Sequence, residues 1–505
     1  MMTVNEILRG VEYLRRSGPD VHISGARISS VEYDSRRVFA SSLFVAMRGE
    51  TTDGNQYIAK AIEQGAAAVV TDSSEAFDEA TSRFPQTEFV QVAHGRNALA
   101  LLAANFFEHP ERRLKLSGVT GTNGKTTTAF LLDAILNHAG RRTVLVGTIE
   151  YHVAGAVRPS PHTTPESRDL LALLHDGVNV GASEAVMEVS SHALAQGRVQ
   201  GLGFDIAAFT NLTRDHLDFH VTMENYFAAK RRLFDGSLLT PPCIAVLNID
   251  DRYGAELVLT AREAGSEIFS YGIGAGEFRA EDIKIAASGI SFQLQSPAGS
   301  IELRTRLTGK VNVYNLLAAS ACAVGRGLSL EAIAAGVASL AHVPGRFQSV
   351  DAGQPFAVIV DYAHTDDALR NLIALARDFV KASSGRVITL FGCGGDRDRT
   401  KRPLMGKAAG EGSDFVVLTS DNPRSEEPEA ILRDVLPGLE ATRTKYVTEA
   451  DRMQAIQLAL NEAHAGDIVL LAGKGHEKTQ TLRHGTIPFD DVEVASGYLR
   501  KGVRA

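Results

Sequence analysis

The fold of this chain is decided by the stretch Gly118-Val-Thr-Gly-Thr-Asn-Gly-Lys-Thr-Thr-Thr128. It follows the apolar run Leu114–Gly118 and opens a helical pattern that ends at Gly140. Glycines let backbone N–H groups close around phosphate oxygens, and a helix N-terminus adds the positive end of its dipole. We therefore expect Lys125 to reach the β- and γ-phosphates of ATP or GTP and the Thr126 hydroxyl to contact Mg²⁺. The alternative is a glycine-rich turn between strand and helix that binds nothing.

Short apolar runs alternate with helical patterns along almost the whole chain. Examples of the apolar runs are Ala67–Thr71, Ala185–Val189, Ile206–Thr210, Cys243–Asn248, Ala357–Val360, Val387–Phe391, Phe415–Thr419 and Ile468–Ala472. Fully apolar strands separated by helices indicate mostly parallel sheets that are covered on both faces. The sequence therefore predicts an α/β fold.

Two places favour domain boundaries. A short strand gives way to a helix near Val92–Ala98, and proline and glycine interrupt a helical region near His342–Arg346. We expect a small amino-terminal α/β domain (1–97), a central domain with a P-loop-type, mostly parallel sheet (98–342), and a carboxy-terminal Rossmann-like α/β domain (343–505). Hinges are expected at both boundaries.

Composition narrows the functional classes. The 505 residues carry 52 Lys and Arg against 60 Asp and Glu, a net charge of −8. An acidic chain without a basic tract is a poor nucleic-acid binder. No apolar run is long enough to insert into a membrane, and the three separated cysteines form no disulfide framework. We expect a cytoplasmic protein that works as a monomer.

Polar residues follow two of the apolar runs. Glu188 ends one run and precedes Ser190, and Asp215 with His216 follows another. A carboxylate at the carboxyl end of a parallel strand beside a phosphate loop can bind Mg²⁺. Asp215 and His216 are candidates for a second metal or phosphate contact. The alternative for each is a solvated polar group at a strand end.

Lys230 occupies an unusual position in the helical pattern Tyr226–Phe234. Its spacing from Tyr226, Phe227, Leu233 and Phe234 places it on the apolar face of the helix. One interpretation is a lysine that extends along this face to water. The other is a desolvated amine with a lowered pKa, which can add CO₂ to become a carbamate that ligates Mg²⁺.

Ordered motifs along the whole chain resemble the Mur ligases, ATP-dependent amino-acid ligases of bacterial peptidoglycan synthesis. Besides the phosphate loop, the motifs are Glu188-Val-Ser-Ser-His192, Asp215-His216, Asn312-Val-Tyr-Asn315, Pro344-Gly-Arg346, Asp361-Tyr-Ala-His364, Gly394-Gly-Asp-Arg397 and Gly473-Lys-Gly-His-Glu477. Tyr33-Asp-Ser-Arg36, Leu43-Phe-Val-Ala46 and Asp53-Gly54 resemble the uridine-nucleotide domain of members that add the third amino acid. Two positions depart from the family pattern: Asp366 stands where proline is usual, and Thr400 where glycine is common.

The resemblance implies roles for the matching positions. ATP would be bound by Gly121, Thr122, Asn123, Gly124, Lys125, Thr126, Thr127, Asn315, Arg346 and His364. Mg²⁺ would be bound by Thr126, Glu188, His216 and a carbamylated Lys230, and catalysis would depend on Lys125, Lys230, His216 and Glu188. The substrate UDP-MurNAc-L-Ala-D-Glu would contact Tyr33, Ser35, Thr51, Thr52, Asp53, Thr163, Thr164, Ser190, Gln196 and Arg198.

The segment Ser420-Asp-Asn-Pro-Arg424 bears on which amino acid is added. In the family, Asp421, Asn422, Pro423 and Arg424 accompany meso-diaminopimelate. This amino acid resembles lysine with an extra distal carboxylate, which a guanidinium can bind through two parallel hydrogen bonds. We expect Arg397 to give a second cationic contact, and Glu477 with the Gly473 carbonyl to receive the distal ammonium. The alternative for Arg424 is a surface salt bridge.

The expected reaction joins meso-diaminopimelate to the D-glutamate γ-carboxylate through an acyl phosphate, with release of ADP and phosphate. Three alternatives remain: the lysine-adding relatives, folylpolyglutamate synthetase, and a nucleotide-gated binding or motor protein. The amino-terminal motifs and Asp-Asn-Pro-Arg speak against the second. The third predicts ATP hydrolysis that needs no amino acid.

Overall fold

A computed structural model of the chain describes residues 2–18, 27–49, 52–286, 289–381 and 384–502. Three large β-sheets are formed in turn by three successive stretches of the chain, and helices pack against each. The architecture is the expected α/β fold. In the described part of the chain, no helix is both long enough and apolar enough to span a bilayer.

The amino-terminal stretch forms a five-stranded sheet with the order β2-β7-β6-β5-β4 and a small β1-β3 ribbon. The strands are β1 (Met2–Thr3), β2 (Arg15–Ser17), β3 (Arg27–Ile28), β4 (Ser30–Glu32), β5 (Ser42–Ala46), β6 (Ala66–Thr71) and β7 (Glu88–Gln91). The helices are α1 (Val4–Ile7), α2 (Ile58–Glu63), α3 (Ser74–Arg83) and α4 (Gly95–Phe106). The boundary expected between residues 97 and 98 falls inside α4 and stays a prediction.

The central stretch forms an eleven-stranded sheet with the order β11-β10-β9-β12-β8-β13-β14-β15-β16-β17-β18. The strands are β8 (Lys115–Thr120), β9 (Thr143–Val146), β10 (Glu150–Val153), β11 (Ala156–Pro159), β12 (Glu184–Glu188), β13 (Ile206–Phe209), β14 (Ile244–Asn248), β15 (Glu267–Gly272), β16 (Phe278–Ala286), β17 (Gly289–Ser296) and β18 (Gly299–Thr305). The helices are α5 (Lys125–His138), α6 (Ser167–Asn179), α7 (Ser191–Ala195), α8 (Leu217–His220), α9 (Met223–Arg231), α10 (Arg252–Ala264), α11 (Lys310–Gly325) and α12 (Leu330–Ser339).

The seven neighbouring strands β9-β12-β8-β13-β14-β15-β16 are parallel, as is usual where buried apolar strands are joined by crossover helices. One face of this sheet packs on α5, α11 and α12, and the other on α6, α9 and α10. β8 lies between β12 and β13, so the carboxyl ends of these three strands share one sheet edge. This edge carries the phosphate loop, Glu188 and the segment after Phe209.

The carboxy-terminal stretch forms a six-stranded sheet with the order β19-β20-β24-β21-β22-β23, parallel except for β19. The strands are β19 (Gln348–Ser349), β20 (Ala357–Asp361), β21 (Val387–Cys393), β22 (Phe415–Ser420), β23 (Lys445–Glu449), β24 (Ile468–Ala472), β25 (Thr479–Leu482) and β26 (Gly485–Pro488). The helices are α13 (Asp366–Val380), α14 (Lys401–Gly412), α15 (Pro428–Glu440), α16 (Arg452–Glu462) and α17 (Asp491–Gly502). α13 to α15 cover one face, and α16 and α17 the other.

Candidate active site

A cavity of about 1010 Å³ lies between the central and carboxy-terminal sheets. Its walls come from the carboxyl edges of both sheets, the place where parallel α/β sheets bind ligands. Of the expected site residues, those lining it are Thr122, Asn123, Gly124, Lys125, Thr126, Thr127, Thr163, Thr164, Glu188, Ser190, Gln196, Arg198, His216, Asn315, Arg346, His364, Arg397, Asp421, Asn422, Arg424, Gly473 and Glu477. The fold thus brings the expected ATP residues and the expected amino-acid residues into one cavity.

The phosphate loop is held in a conformation that requires glycine. Gly121 and Gly124 have φ values of 148° and 86°, and a Cβ at Gly121 would lie 1.9 Å from Thr210 Oγ1. Thr210 Oγ1 donates to the Asn123 carbonyl over 2.6 Å, and Asn123 N donates to Asn211 Oδ1 over 3.0 Å. Polar residues after β13 therefore fix the loop at the N-terminus of α5.

Lys125 and Thr126 stand at the first turn of α5. Lys125 Nζ donates to the carbonyls of Gly121 and Thr122 over 3.0 and 2.9 Å. Burial lowers the pKa of Lys125 from its ordinary value, and the nearby Glu188 carboxylate opposes that shift. Thr126 Oγ1 donates to Glu188 Oε2 over 2.9 Å, and Arg346 of the carboxy-terminal stretch donates to Thr126 Oγ1 over 3.1 Å.

Glu188 is buried at the end of β12 and is held by several donors. Thr148 donates to it twice, from N over 2.7 Å and from Oγ1 over 3.0 Å. Asn315 lies behind the loop on α11, and its Oδ1 accepts from Thr128 Oγ1 over 3.4 Å. The alternative interpretation of Glu188 as a solvated polar group at a strand end is wrong, because this carboxylate is fully buried.

His216 lines the cavity with a φ of 54°, and its ring is 4.8 Å from the His192 ring. Burial in the cavity wall lowers the pKa of His216, so the ring is neutral at pH 7 and can offer a lone pair. Asp215 lies between His216 and His364: its Oδ2 is 3.3 Å from His216 Nε2 and 4.0 Å from His364 Nε2.

Lys230 on α9 is only 1% exposed, so the interpretation that its amine extends to water is wrong. Its Nζ donates to the Gly121 carbonyl over 2.8 Å and lies 4.8 Å from the centre of the Tyr226 ring. Burial holds the pKa of Lys230 well below its ordinary value, and the nearby Lys125 acts in the same direction. The amine of Lys230 therefore points at the phosphate loop from α9.

The residues at this corner fit a Mg²⁺ ion. Hydroxyl and carboxylate oxygens from Thr126 and Glu188 are hard donors of the kind Mg²⁺ prefers, alongside phosphate oxygens and water. In the described part of the chain, no cluster of three His, Cys, Asp or Glu side chains could bind a metal unaided. The fit therefore depends on few protein ligands, as is usual where Mg²⁺ is bound together with a nucleotide.

The expected dipeptide contacts gather around the loop between β11 and α6. Thr164 Oγ1 donates to the Glu188 carbonyl over 2.7 Å, and Ser190 N donates to Thr164 Oγ1 over 3.1 Å. Arg198 Nη1 donates to the Thr164 carbonyl over 2.9 Å, and Thr163 Oγ1 is 3.0 Å from Thr148 Oγ1. This end of the cavity adjoins the Glu188 carboxylate.

The expected uridine-nucleotide contacts lie apart from this cavity. Tyr33 donates from its hydroxyl to Asp169 of α6 over 2.6 Å, and Ser35 is buried at the start of a short 3-10 helix. Asp53 caps a second 3-10 helix by accepting from Asn55 N over 2.9 Å, and Thr52 is exposed. Thr51 lies outside the described residues. The structure joins none of the four described residues to the ATP corner.

Arg424 lines the opposite end of the cavity with a φ of 53°. Its Nη1 donates to the Gly395 and Asn422 carbonyls over 2.7 and 3.4 Å. Burial lowers the pKa of Arg424, and the neighbouring Arg397 lowers it further. Within the described ranges Arg424 forms no ion pair, so the surface salt bridge left open for it is wrong.

Buried charges surround this end. Lys474 is fully buried and donates to Glu477 Oε2 over 2.9 Å and to Asn422 Oδ1 over 3.2 Å. Asp421 presents Oδ1 as a buried oxygen without a hydrogen bond, 3.7 Å from Lys474 Nζ. Burial raises the pKa of Asp421, and Lys474 opposes that shift. An ammonium group of a bound amino acid would complete the set of partners of Asp421.

Both departures from the family pattern have local explanations. Asp366 is the first residue of α13 and forms a 2.8 Å ion pair with Arg214 of the central stretch. Thr400 donates from N and Oγ1 to Asp398 Oδ1 over 2.8 and 2.6 Å, which orders the turn before α14. Neither disturbs the cavity.

Sequence reasoning assigned no role to three further lining residues, and one of them, Asp367, acts across the two sheets. Asp367 accepts from Asn123 Nδ2 over 3.0 Å, and Lys401 donates to the His364 carbonyl over 3.1 Å. The Tyr362 ring packs under Arg346, 4.8 Å from its guanidinium carbon. The acidic pair 366–367 follows the His364 motif, and Tyr362 lies within that motif, so two of the three had a sequence signal.

Comparison with known proteins gives one consistent result. Three profiles match the chain: the Mur ligase family, catalytic domain at 27–107, the Mur ligase middle domain at 119–323, and the Mur ligase, glutamate ligase domain at 345–475. A Solibacter usitatus protein named UDP-N-acetylmuramoyl-L-alanyl-D-glutamate--2,6-diaminopimelate ligase is 52% identical over 99% of this chain and 98% of its own. A Geobacillus kaustophilus protein of the same name is 44% identical over 95% and 96%.

Solved structures agree with the sequence relatives. A structure titled as the same 2,6-diaminopimelate ligase is 32% identical, covers 100% of this chain and 99% of its own, and gives a TM-score of 0.67. MurF from Acinetobacter baumannii gives a TM-score of 0.68 at 20% identity, covering 98% of each chain, which shows the fold alone.

Proposed function

We propose that this chain, which belongs to the Mur ligase family, is the ATP-dependent ligase that adds meso-2,6-diaminopimelate to UDP-MurNAc-L-Ala-D-Glu. The bond formed joins the D-glutamate γ-carboxylate to an amine of diaminopimelate, and ADP and phosphate are released. The reaction belongs to peptidoglycan precursor synthesis, and we place it in the cytoplasm. We propose a monomer as the working unit.

The observation that carries the choice of amino acid is the environment of Arg424. Its guanidinium lines the cavity beside Arg397 and, in the part of the chain the structure describes, has backbone carbonyls as partners but no carboxylate. A distal carboxylate satisfies such a group through two parallel hydrogen bonds. L-lysine lacks that carboxylate and would leave two neighbouring cations without an anion, at a cost of roughly 1–3 kcal/mol.

The chemistry starts at the other end of the cavity. A carboxylate is a poor electrophile, so the γ-phosphoryl group of ATP is first transferred to the D-glutamate γ-carboxylate to give an acyl phosphate. Lys125 and the backbone N–H groups of residues 121–127 bind and neutralise the phosphates. Thr164, Ser190 and Arg198 hold the dipeptide next to Glu188. The diaminopimelate amine then attacks the acyl carbon, and phosphate leaves.

Mg²⁺ would be held by Thr126, Glu188 and His216, with a carbamylated Lys230 as a fourth ligand. When bound, it supplies positive charge at the transferring phosphoryl group. Burial holds the pKa of Lys230 well below its ordinary value, which supports the carbamate, because only an uncharged amine adds CO₂. Asn315, Arg346 and His364 complete the proposed nucleotide contacts.

The deciding experiment is a phosphate-release assay with ATP and UDP-MurNAc-L-Ala-D-Glu, comparing meso-diaminopimelate with L-lysine. We expect release only when both acceptor and amino acid are present, with diaminopimelate preferred by at least about tenfold. Equal use of lysine would refute the specificity argument. Release without any amino acid would favour the nucleotide-gated motor, and glutamate addition to a folate would favour folylpolyglutamate synthetase.

A further inference from the structure

Two loops that carry the paired arginines are fastened to each other by a side-chain clasp. Loop A comprises residues 394–397 after β21, and loop B comprises residues 422–426 after β22. Asp396 Oδ1 accepts from Ser425 Oγ over 2.6 Å, and Asp396 Oδ2 accepts from Ser425 N over 3.1 Å. Asp396 N donates in turn to Glu426 Oε1 over 2.6 Å. These three bonds, from Asp396, Ser425 and Glu426, define the clasp.

Arg402 of α14 hydrogen-bonds to the clasp from the protein interior. This fully buried guanidinium donates to both carboxylate oxygens of Glu426 over 2.7 and 3.0 Å, and to the Gly394 carbonyl over 3.2 Å. One side chain therefore holds both loops. Since a planar guanidinium fixes the direction of each bond it donates, this anchor also sets the orientation of the loops.

Close backbone packing leaves the loops little freedom to shift. Gly395 N donates to the Asn422 carbonyl over 2.9 Å, and a Cβ at Gly395 would lie 1.9 Å from the Pro423 carbonyl oxygen. Asp396 and Arg424 both have positive φ values, 52° and 53°. Such conformations persist where surrounding contacts enforce them. The clasp provides those contacts on both sides.

We propose that the clasp of Asp396, Ser425 and Glu426 sets the spacing of the Arg397 and Arg424 guanidiniums and so determines selectivity for an amino acid with a distal carboxylate. The two guanidiniums repel each other, and without the clasp fewer contacts oppose a shift of Arg397 away from Arg424. The three clasp residues are positioning residues, since none lines the cavity itself. The inference rests on the proposed function. It adds to that function the residues that position Arg397 and Arg424 at the specificity end of the cavity, which we define as the end lined by these two arginines.

The test compares Asp396→Gly with Asp396→Asn in the full-length chain. Glycine removes the clasp but adopts the positive φ without strain, whereas asparagine keeps both the φ and an acceptor oxygen. We expect Asp396→Gly to raise KM for meso-diaminopimelate about tenfold. The preference for diaminopimelate over L-lysine should fall by a similar factor, because about tenfold is the change in affinity expected when one charge-assisted contact is lost. KM for ATP and for the UDP-linked substrate should stay within about twofold. Asp396→Asn should retain most of the preference.

Ser425→Ala provides a second variant that removes only the 2.6 Å bond, and it should give a smaller change of the same kind. Glu429→Ala, at an exposed acid on α15 outside the clasp, is the matched control. A preference in Asp396→Gly equal to that of the unmodified enzyme overturns the inference, as does a parallel rise of all three KM values. The proposed function fails separately, if the unmodified enzyme itself shows no preference for diaminopimelate.

Discussion

At the scale of single residues, the burial of Lys230 is the feature that points most directly to a catalytic role. Within the part of the chain that the structure describes, its buried amine hydrogen-bonds one backbone carbonyl, faces an aromatic ring and has no carboxylate as a salt-bridge partner. We predict that Lys230→Ala lowers kcat by about 10²–10³-fold, the effect of losing one group that stabilises transition-state charge. Short carboxylic acids should restore part of the activity by replacing the carbamate. Lys60→Ala, at an exposed lysine on α2, is the control, and full activity in Lys230→Ala would remove Lys230 from the site.

Arg424 is the corresponding residue at the specificity end. We predict that Arg424→Met raises KM for meso-diaminopimelate by about 10–100-fold, because a charge-assisted pair contributes roughly 1.5–3 kcal/mol. KM for ATP should change little, since the Arg424 guanidinium donates to carbonyls of loops A and B and to none in the described phosphate loop. Steady-state kinetics with each substrate varied in turn measures this. Arg433→Ala, at an exposed arginine on α15, should behave as the unmodified enzyme, and an equal loss in both variants would contradict the assignment.

At the scale of elements, the predictable strands were those that the fold buries on both faces. β12 and β21 are buried along their whole length, and their positions followed from the apolar runs Ala185–Val189 and Val387–Phe391. The antiparallel arm β16–β18 escaped prediction because its residues alternate between buried and exposed, as β17 shows. The phosphate loop was predictable because its contacts are local. The clasp was not, because Asp396 and Ser425 meet only after β21 and β22 pair.

A buried ion pair holds together the helices and strands next to the Arg397 and Arg424 end of the cavity. Arg452 of α16 and Asp491 of α17 are both fully buried, and Arg452 donates to the carbonyls of Ser420 and Ala472, the last residues of β22 and β24. We predict that Asp491→Ala lowers the free energy of unfolding by about 3–5 kcal/mol, because the buried guanidinium loses its counter-charge. Thermal or urea unfolding measures this change. Arg452→Met combined with Asp491→Leu should recover most of it, and Glu493→Ala should show none.

At the scale of the whole molecule, the cavity exists because the central and carboxy-terminal stretches approach each other. Arg346 reaches Thr126, and Asp367 reaches Asn123, across the gap. These contacts join residues that are 220 and 244 positions apart in the chain, so sequence patterns could identify each motif but not their approach. Each motif was predicted on its own, whereas the cavity forms only when the motifs of the two stretches come into contact. We therefore expect closure of the two sheets to control when ATP and amino acid share one site.

The Arg214–Asp366 ion pair bridges the same gap, and it tests whether closure contributes to turnover. The side chains are 30% and 21% exposed, so the pair should contribute only about 0.5–1 kcal/mol and should weaken as salt screens it. We predict that Asp366→Ala lowers kcat/KM for ATP about two- to fivefold at low salt and less at high salt. A double-mutant cycle with Arg214→Ala isolates the pair, and Asp235→Ala, which breaks the Arg231–Asp235 pair within the central stretch, is the control. Equal, salt-independent losses in Asp366→Ala and Asp235→Ala would show that the bridge has no part in closure.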